Sequence, residues 1–187
     1  MPAHMVNAYY SPDSNTIVFP AAILQAPFYS LEQSSSQNYG GIGTVIAHEI
    51  SHAFDNNGAQ FDKEGNLNKW WLDEDYEAFE EKQKEMIALF DGVETEAGPA
   101  NGKLIVSENI ADQGGITAAL TAAKDEKDVD LKAFFSQWAK IWRMKASKEF
   151  QQMLLSMDVH APAKLRANIP PTNLEEFYDT FDVKETD

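Results

Sequence analysis

The sequence predicts a helix-rich domain with a short β-hairpin near its start. Three observations lead there. Apolar residues recur at three-and-four spacing through several long segments, two strand-like runs flank a turn before residue 20, and 43% of the 187 residues are apolar, enough to build a core. The chain carries 30 acidic and 15 basic residues, a formal net charge of −15. Such a surface repels phosphate backbones, so nucleic acid is a poor partner. With no cysteine, disulfides and thiolate metal sites are excluded, and any metal must take nitrogen and oxygen ligands. No apolar run is long enough to span a membrane. The start, Met1-Pro2-Ala3-His4, lacks the basic-then-apolar pattern of a secretory signal.

The elements follow in order. Val6-Asn7-Ala8-Tyr9-Tyr10 and Thr16-Ile17-Val18-Phe19 read as strands. Ser11-Pro12-Asp13-Ser14-Asn15 between them is turn chemistry, and Pro20 stops the second strand, so residues 6–19 are expected to form a hairpin. Residues 30–38 are polar and read as a loop. From about Gly43 a helix is expected, with Ile42, Val45, Ile46, Glu49, Ile50 and Ala53 in helical register, ended by Asp55-Asn56-Asn57-Gly58. Trp70 and Trp71 are expected to anchor the next segment in the core. A long amphipathic helix follows, with Leu72, Tyr76, Phe79, Gln83, Met86, Ile87 and Phe90 on one face. Gly92 to Gly102 reads as a turn-rich loop. Residues 107–124 form another helix, expected to break or bend at Gly114-Gly115. A further helix carries Leu131, Phe134, Phe135, Trp138, Ile141 and Trp142. Asp158-Val159-His160-Ala161-Pro162 reads as a loop, and a last helix lies near 173–181.

Within the first helix, His48-Glu49-Ile50-Ser51-His52 matches H-E-x-x-H. Residues four apart share a helix face, so both imidazoles reach one ion, while Glu49 can address water on it. Zinc lowers the pKa of its water and a carboxylate accepts the proton. A catalytic site needs a third protein ligand and an open position. Here that ligand must be His, Asp or Glu. His4 and His160 are candidates, as are many acids, and Glu108 stands out. It opens a predicted helix in Ser107-Glu108-Asn109-Ile110-Ala111-Asp112, with Asp112 four residues on and on the same face. One carboxylate would bind the metal while the other receives the N–H of a ligand histidine. The same residues also fit a plain helix start, with Ser107 as cap and the acids favouring the dipole. Taken alone, His160 fits an ordinary loop histidine and Arg166 a solvated charge.

Together these segments resemble the neprilysin family of zinc endopeptidases, which includes the endothelin-converting enzymes and bacterial oligopeptidase O. The resemblance runs in order through Val6-Asn7-Ala8-Tyr9-Tyr10, Phe19-Pro20-Ala21-Ala22-Ile23-Leu24, Pro27-Phe28-Tyr29, Asn38-Tyr39-Gly40-Gly41-Ile42-Gly43, His48 to Asp55, Glu108 to Asp112, and His160-Ala161-Pro162 with Arg166-Ala167-Asn168. Ser51 and Ala47 stand where threonine and glycine are common in the family. The resemblance implies an α+β, zincin-like metallopeptidase domain with a small sheet beside the H-E-x-x-H helix. It implies one Zn²⁺ per chain held by His48, His52 and Glu108. Glu49 would be the general base, Asp112 would orient a ligand histidine, and His160 would stabilise the oxyanion. Asn7 and Ala8 would bind peptide backbone along an edge strand, and Arg166 would hold substrate carbonyls. The implied activity is hydrolysis of oligopeptides through a zinc-activated water. The family's enzymes carry a large helical region before this segment and a short tail after it. Residues 1–187 are therefore expected to be one catalytic domain excised from a larger peptidase, with apolar faces that would meet the missing N-terminal region. The absence of cysteine favours a bacterial, cytoplasmic relative. Two other readings compete: a zinc- or peptide-binding module without turnover, and a helical interaction domain whose histidines are incidental.

Overall fold

The computed structural model of the chain describes residues 1–184. Strand β1 (Tyr9–Ser11) pairs antiparallel with β2 (Thr16–Val18), with Tyr9 opposite Val18 and Ser11 opposite Thr16. Asn15 closes the turn at φ 48°, a left-handed position that asparagine tolerates better than most residues. Among the described residues the sheet has these two strands, so one edge of β1 has no partner strand. It packs against the helix that carries His48.

The polar stretch 30–38 differs from the expected loop. Its last four residues form helix α1 (Ser35–Asn38). Ser34 caps it: the Gln37 backbone N–H donates to the Ser34 hydroxyl at 3.2 Å, and the Ser34 N–H donates to the Gln37 side chain at 3.0 Å. The chain then runs through one wide π turn, Tyr39–Gly43, straight into α2 (Thr44–Ser51). A 3₁₀ turn, His52–Phe54, ends this run. The stop is chemical, because the Asp55 carboxylate accepts the N–H groups of Asn57 and Gly58, both at 2.7 Å.

The two tryptophans that follow do not sit in the core. Trp70 is 48% exposed and Trp71 is only partly covered. Their neighbours explain this. Trp71 packs on Tyr76 and Phe79, both at 5.3 Å between ring centroids, at the start of the peripheral helix α3 (Asp73–Phe90). Along α3 the sheltered side runs through Tyr76, Phe79, Gln83, Met86, Ile87 and Phe90, whereas Leu72 lies just before the helix and is exposed. The segment after it contains a two-residue hairpin, β3 (Glu94–Thr95) with β4 (Gly98–Pro99).

Helix α4 (Val106–Lys124) is unbroken, contrary to the break expected at its glycine pair. The glycines serve close approach. A Cβ on Gly115 would lie 2.8 Å from the Thr44 carbonyl oxygen and 3.0 Å from His48 Cβ, and one on Gly114 would strike Ser51. Two helices therefore touch backbone to side chain there, and α2 and α4 form the most extensive pairing of the fold.

Helix α5 (Leu131–Ile141) starts at an Asp130 cap and drives its apolar face into the centre. Phe134, Phe135, Trp138 and Ile141 meet Ile116, Ala119, Leu120 and Ala123 of α4 and Ile42 and Val45 beside α2. Each large side chain fully buried in this way contributes about 1.5–3 kcal/mol of transfer free energy. A smaller cluster joins Phe90, Ala100, Ile105, Ala161 and Leu165. Helix α6 (Lys148–Met157), capped by Ser147, was not anticipated from sequence and buries no residue fully. Short helix α7 (Ala163–Asn168) carries Arg166, and α8 (Glu175–Phe181) lays Phe177 and Phe181 on Phe135. The result is a helix-rich α+β domain with a small sheet beside the H-E-x-x-H helix. Among the described residues, no helix is long and apolar enough to cross a membrane.

Candidate metal centre and active site

Helices α2 and α4 place the site. His48 lies on α2 and His52 in the turn that extends it, while Glu108 lies in the first turn of α4, directly across their contact. Three atoms converge. The Nε2 atoms of His48 and His52 are 3.0 Å apart, and Glu108 Oε2 lies 3.3 Å from the first and 3.5 Å from the second. Ligands about 2.0–2.1 Å from a tetrahedral zinc are separated by about 3.3 Å, so the triangle has the dimensions of one face of such a site.

Each imidazole is held from behind. His48 Nδ1 meets Asp112 Oδ1 at 2.8 Å, and His52 Nδ1 meets Asp55 Oδ2 at 2.7 Å. With each Nδ1–H given to a carboxylate, both Nε2 lone pairs point at the same space as the Glu108 oxygen. Glu108 Oε2 is buried, and its near neighbours are the Nε2 atoms of His48, His52 and His160, at 3.3, 3.5 and 3.2 Å. Three electron-rich atoms at this spacing repel one another unless a cation lies among them, so the donor set fits a zinc ion.

The electrostatics agree in direction. Burial alone would drive a proton off His52, but hydrogen bonds to Asp55 and Glu108 outweigh it and push its pKa up to about 10. His48 and His160 are raised against burial in the same manner, His48 by Asp112 and Glu108, His160 by Glu108. Glu108 is buried, yet its contacts with His160, His48 and His52 hold its carboxyl well below the usual range. Asp112 is likewise held down to about 2, burial being outweighed by the Arg166 charge and by hydrogen bonds from His48 and Arg166.

Glu49 has the opposite bias. Burial pushes its pKa up, only partly offset by the two histidines. Its carboxylate is near enough that ligand atoms of His48, Glu49 and His52 all lie within 4.8 Å of one another. The two glutamates thus shift in opposite directions: the histidines lower Glu108, while burial raises Glu49.

All nine residues singled out from sequence line one cleft of about 430 Å³: Asn7, Ala8, His48, Glu49, His52, Glu108, Asp112, His160 and Arg166. Asn7 is exposed and Ala8 buried, just before the open-edged strand β1. His160 Nε2 lies 3.2 Å from Glu108 Oε2, and its Nδ1 is fixed by Asp158 at 2.7 Å. Arg166 is buried and bound to Asp112 through Nε and Nη2, both at 2.7 Å. Trp142 stacks on its guanidinium at 3.7 Å, and the two bonds to Asp112 do not use Nη1. His4, the other histidine weighed as a ligand, is exposed and is not among the residues that line the cleft.

Sequence reasoning gave Asp55 and Asp158 no part in the site, and Ser107 only that of a helix cap. The first two carried a signal in their spacing, three and two residues from a histidine. Ser107 does not cap α4, whose N-cap is Ile105. Its hydroxyl donates instead to Asp55 Oδ2 at 2.6 Å and accepts from Asn57 Nδ2 at 3.1 Å.

Comparison with known proteins places this arrangement. The family model described as Peptidase family M13 matches residues 7–187. A neutral endopeptidase of Lactobacillus helveticus is 48% identical over 187 residues, which is 100% of this chain and 29% of the relative. Endothelin-converting enzyme 1 of Homo sapiens is 39% identical over 190 residues, 95% of this chain and 25% of the relative. Among solved structures, PepO from Lactobacillus rhamnosis HN001 superposes with a TM-score of 0.96 at 49% identity, over 100% of this chain and 30% of that one. The zinc metalloprotease Zmp1 of Mycobacterium tuberculosis, in complex with an inhibitor, superposes with a TM-score of 0.93 at 38% identity, over 99% of this chain and 31% of that one. The chain thus spans between a quarter and a third of the length of these relatives, and over that span both its sequence and its fold make it a member of peptidase family M13.

Proposed function

We propose that the chain is the catalytic domain of a zinc-dependent metalloendopeptidase that hydrolyses peptide bonds of oligopeptides. The observation that carries this is the convergence of His48 Nε2, His52 Nε2 and Glu108 Oε2 within 3.5 Å, with a carboxylate behind each imidazole. These three residues would hold one zinc per chain. Zinc, when bound, supplies a Lewis acid that lowers the pKa of a water and polarises the scissile carbonyl.

The remaining steps belong to the protein. Glu49 accepts a proton from the attacking water and passes it to the leaving amine. Its raised affinity for protons suits a group that must hold one between two steps. His160, oriented by Asp158, donates to the oxygen that gains negative charge, an interaction that strengthens only as the transition state forms. Asn7, Ala8 and the open edge of β1 receive extended peptide backbone, and Nη1 of Arg166 is left to reach a substrate carbonyl. Asp112 holds both His48 and Arg166, so one carboxylate couples the metal side of the cleft to the substrate side.

The test compares wild type with Glu49→Gln and Glu108→Ala for zinc content and for cleavage of a quenched fluorescent peptide. Glu49→Gln is expected to keep about one zinc and lose at least about 10²-fold in rate. Glu108→Ala is expected to lose most of its zinc. Full activity in Glu49→Gln would sink the mechanism. Peptide binding without product in fully metal-loaded wild type would instead favour a binding module.

A further inference from the structure

The cleft does not end at His160 and Arg166. Through Asn7, Trp142, His160 and Arg166 it opens into a second, larger depression of about 770 Å³. Three cations line that depression: Arg143 and Lys145 in the loop after α5, and Lys164 on α7. None of the three makes an ion pair among the described residues, whereas Lys82, Lys84 and Lys124 elsewhere each hold a glutamate. Two acids share the lining. Asp158 is taken by His160, which leaves Glu96. Arg166 is already matched by Asp112.

This is an unusual place for free positive charge. The chain has 15 basic residues against 30 acidic, so its general field repels acidic peptides. Yet two separate segments bring unpaired cations to one hollow that is continuous with the catalytic cleft. We propose that the hollow is a substrate subsite selecting for carboxylate, supplied by an acidic side chain or by the terminal carboxylate of the peptide. The inference rests on the peptidase reading and adds to it a substrate class. Exposed lysines and arginines act here as point charges, so each should contribute modestly and in a salt-dependent manner.

The experiment uses peptides that carry one Glu, or Gln in its place, at successive positions, each with a free or an amidated C-terminus. Cleavage is followed as kcat/KM in wild type. Binding of the same peptides to zinc-loaded Glu49→Gln is followed by fluorescence anisotropy, so selection is read even where nothing is cleaved. At low salt one carboxylate-bearing form is expected to be preferred by roughly five- to tenfold over its neutral counterpart. That preference should fall to near unity in Arg143→Gln/Lys145→Gln/Lys164→Gln, and in wild type at 1 M salt. It should persist in Lys82→Gln/Lys84→Gln/Lys132→Gln, which changes net charge equally at residues that do not line the hollow. Loss on amidation alone identifies the terminal carboxylate as the ligand, and loss on Glu-to-Gln exchange alone identifies the side chain. Equal binding of charged and neutral peptides by wild type, or a preference that survives the Arg143, Lys145 and Lys164 substitutions, overturns the subsite. Failure of cleavage with the binding preference intact counts against the peptidase reading and not against the subsite.

Discussion

Asp55 shows how much chemistry one side chain can join. It is 2% exposed and uses both oxygens. Oδ1 accepts the N–H groups of Asn57 and Gly58 and so ends the helical run, while Oδ2 accepts from His52 and from the Ser107 hydroxyl. Ser107 immediately precedes Glu108, so Asp55 ties together the two segments that carry the proposed ligands. We expect Asp55→Asn to lower zinc affinity by about 10–100-fold, since an amide can turn its donor towards His52 and no longer fixes the tautomer. Competition against a chromophoric chelator measures this, and unchanged affinity would remove Asp55 from the site. The sequence hid this role for a physical reason. An acid just past a helix serves as a stop signal whatever else it does, and Asp55 is both. The partnership of Arg166 with Asp112 was hidden differently, because 54 residues separate them and no local pattern reports it. His48, Glu49 and His52 were legible as a motif because helical spacing puts the two histidines on one face, whereas spacing left Glu108 and Asp112 open between a ligand pair and a plain helix start, and only the family resemblance gave them roles.

At the scale of elements, the site depends on how closely α4 approaches α2. Glycine in a helix interior costs about 1 kcal/mol relative to alanine, so propensity alone predicts that Gly115→Ala stabilises the protein. The packing predicts the reverse. The new methyl group would lie 2.8 Å from the Thr44 carbonyl oxygen and 3.0 Å from His48 Cβ, and backbone cannot yield as a flexible side chain would. Overpacking of this kind costs about 1–3 kcal/mol, so Gly115→Ala should melt a few degrees lower and bind zinc more weakly as Glu108 and Asp112 shift from their partners. A higher melting temperature would show that α4 has room to spare. The same competition explains what was legible in the fold. The long helices α3 and α5 announced themselves by periodicity, whereas α4, buried on most of its sides, carries no clear apolar stripe. The bend expected at Gly114-Gly115 failed because propensity was the only signal available for a choice made by tertiary contact. Helix α1 was missed because its four residues are all polar and its single signal is the Ser34–Gln37 capping box. The tryptophans misled because bulk suggests burial, while Trp70 and Trp71 have only the rim of α3 to pack on.

For the molecule as a whole, charge and apolar surface pull in opposite directions. A net charge of −15 keeps copies of the chain apart. Helix α6 works against that. Its Phe150, Met153 and Met157 follow one another at helical spacing and are 47%, 47% and 74% exposed, with Met144 of the preceding loop 51% exposed nearby in sequence. A stripe of this kind on an amphipathic helix is normally covered. The two effects separate by ionic strength, since salt screens the repulsion between like-charged copies but leaves apolar attraction intact. The chain should therefore be monomeric at low salt and show a rising weight-average mass between about 0.05 and 1 M salt, followed by light scattering at fixed protein concentration. An apolar dye should bind over the same range, because the stripe is open in the monomer. Phe150→Ser/Met153→Gln/Met157→Gln should abolish both effects while retaining the zinc content of wild type, since none of the three residues lines the metal cleft. A mass that stays monomeric to 1 M salt in wild type would mean that the stripe is too small, or too interrupted by Lys148, Glu149 and Gln152, to hold two copies together.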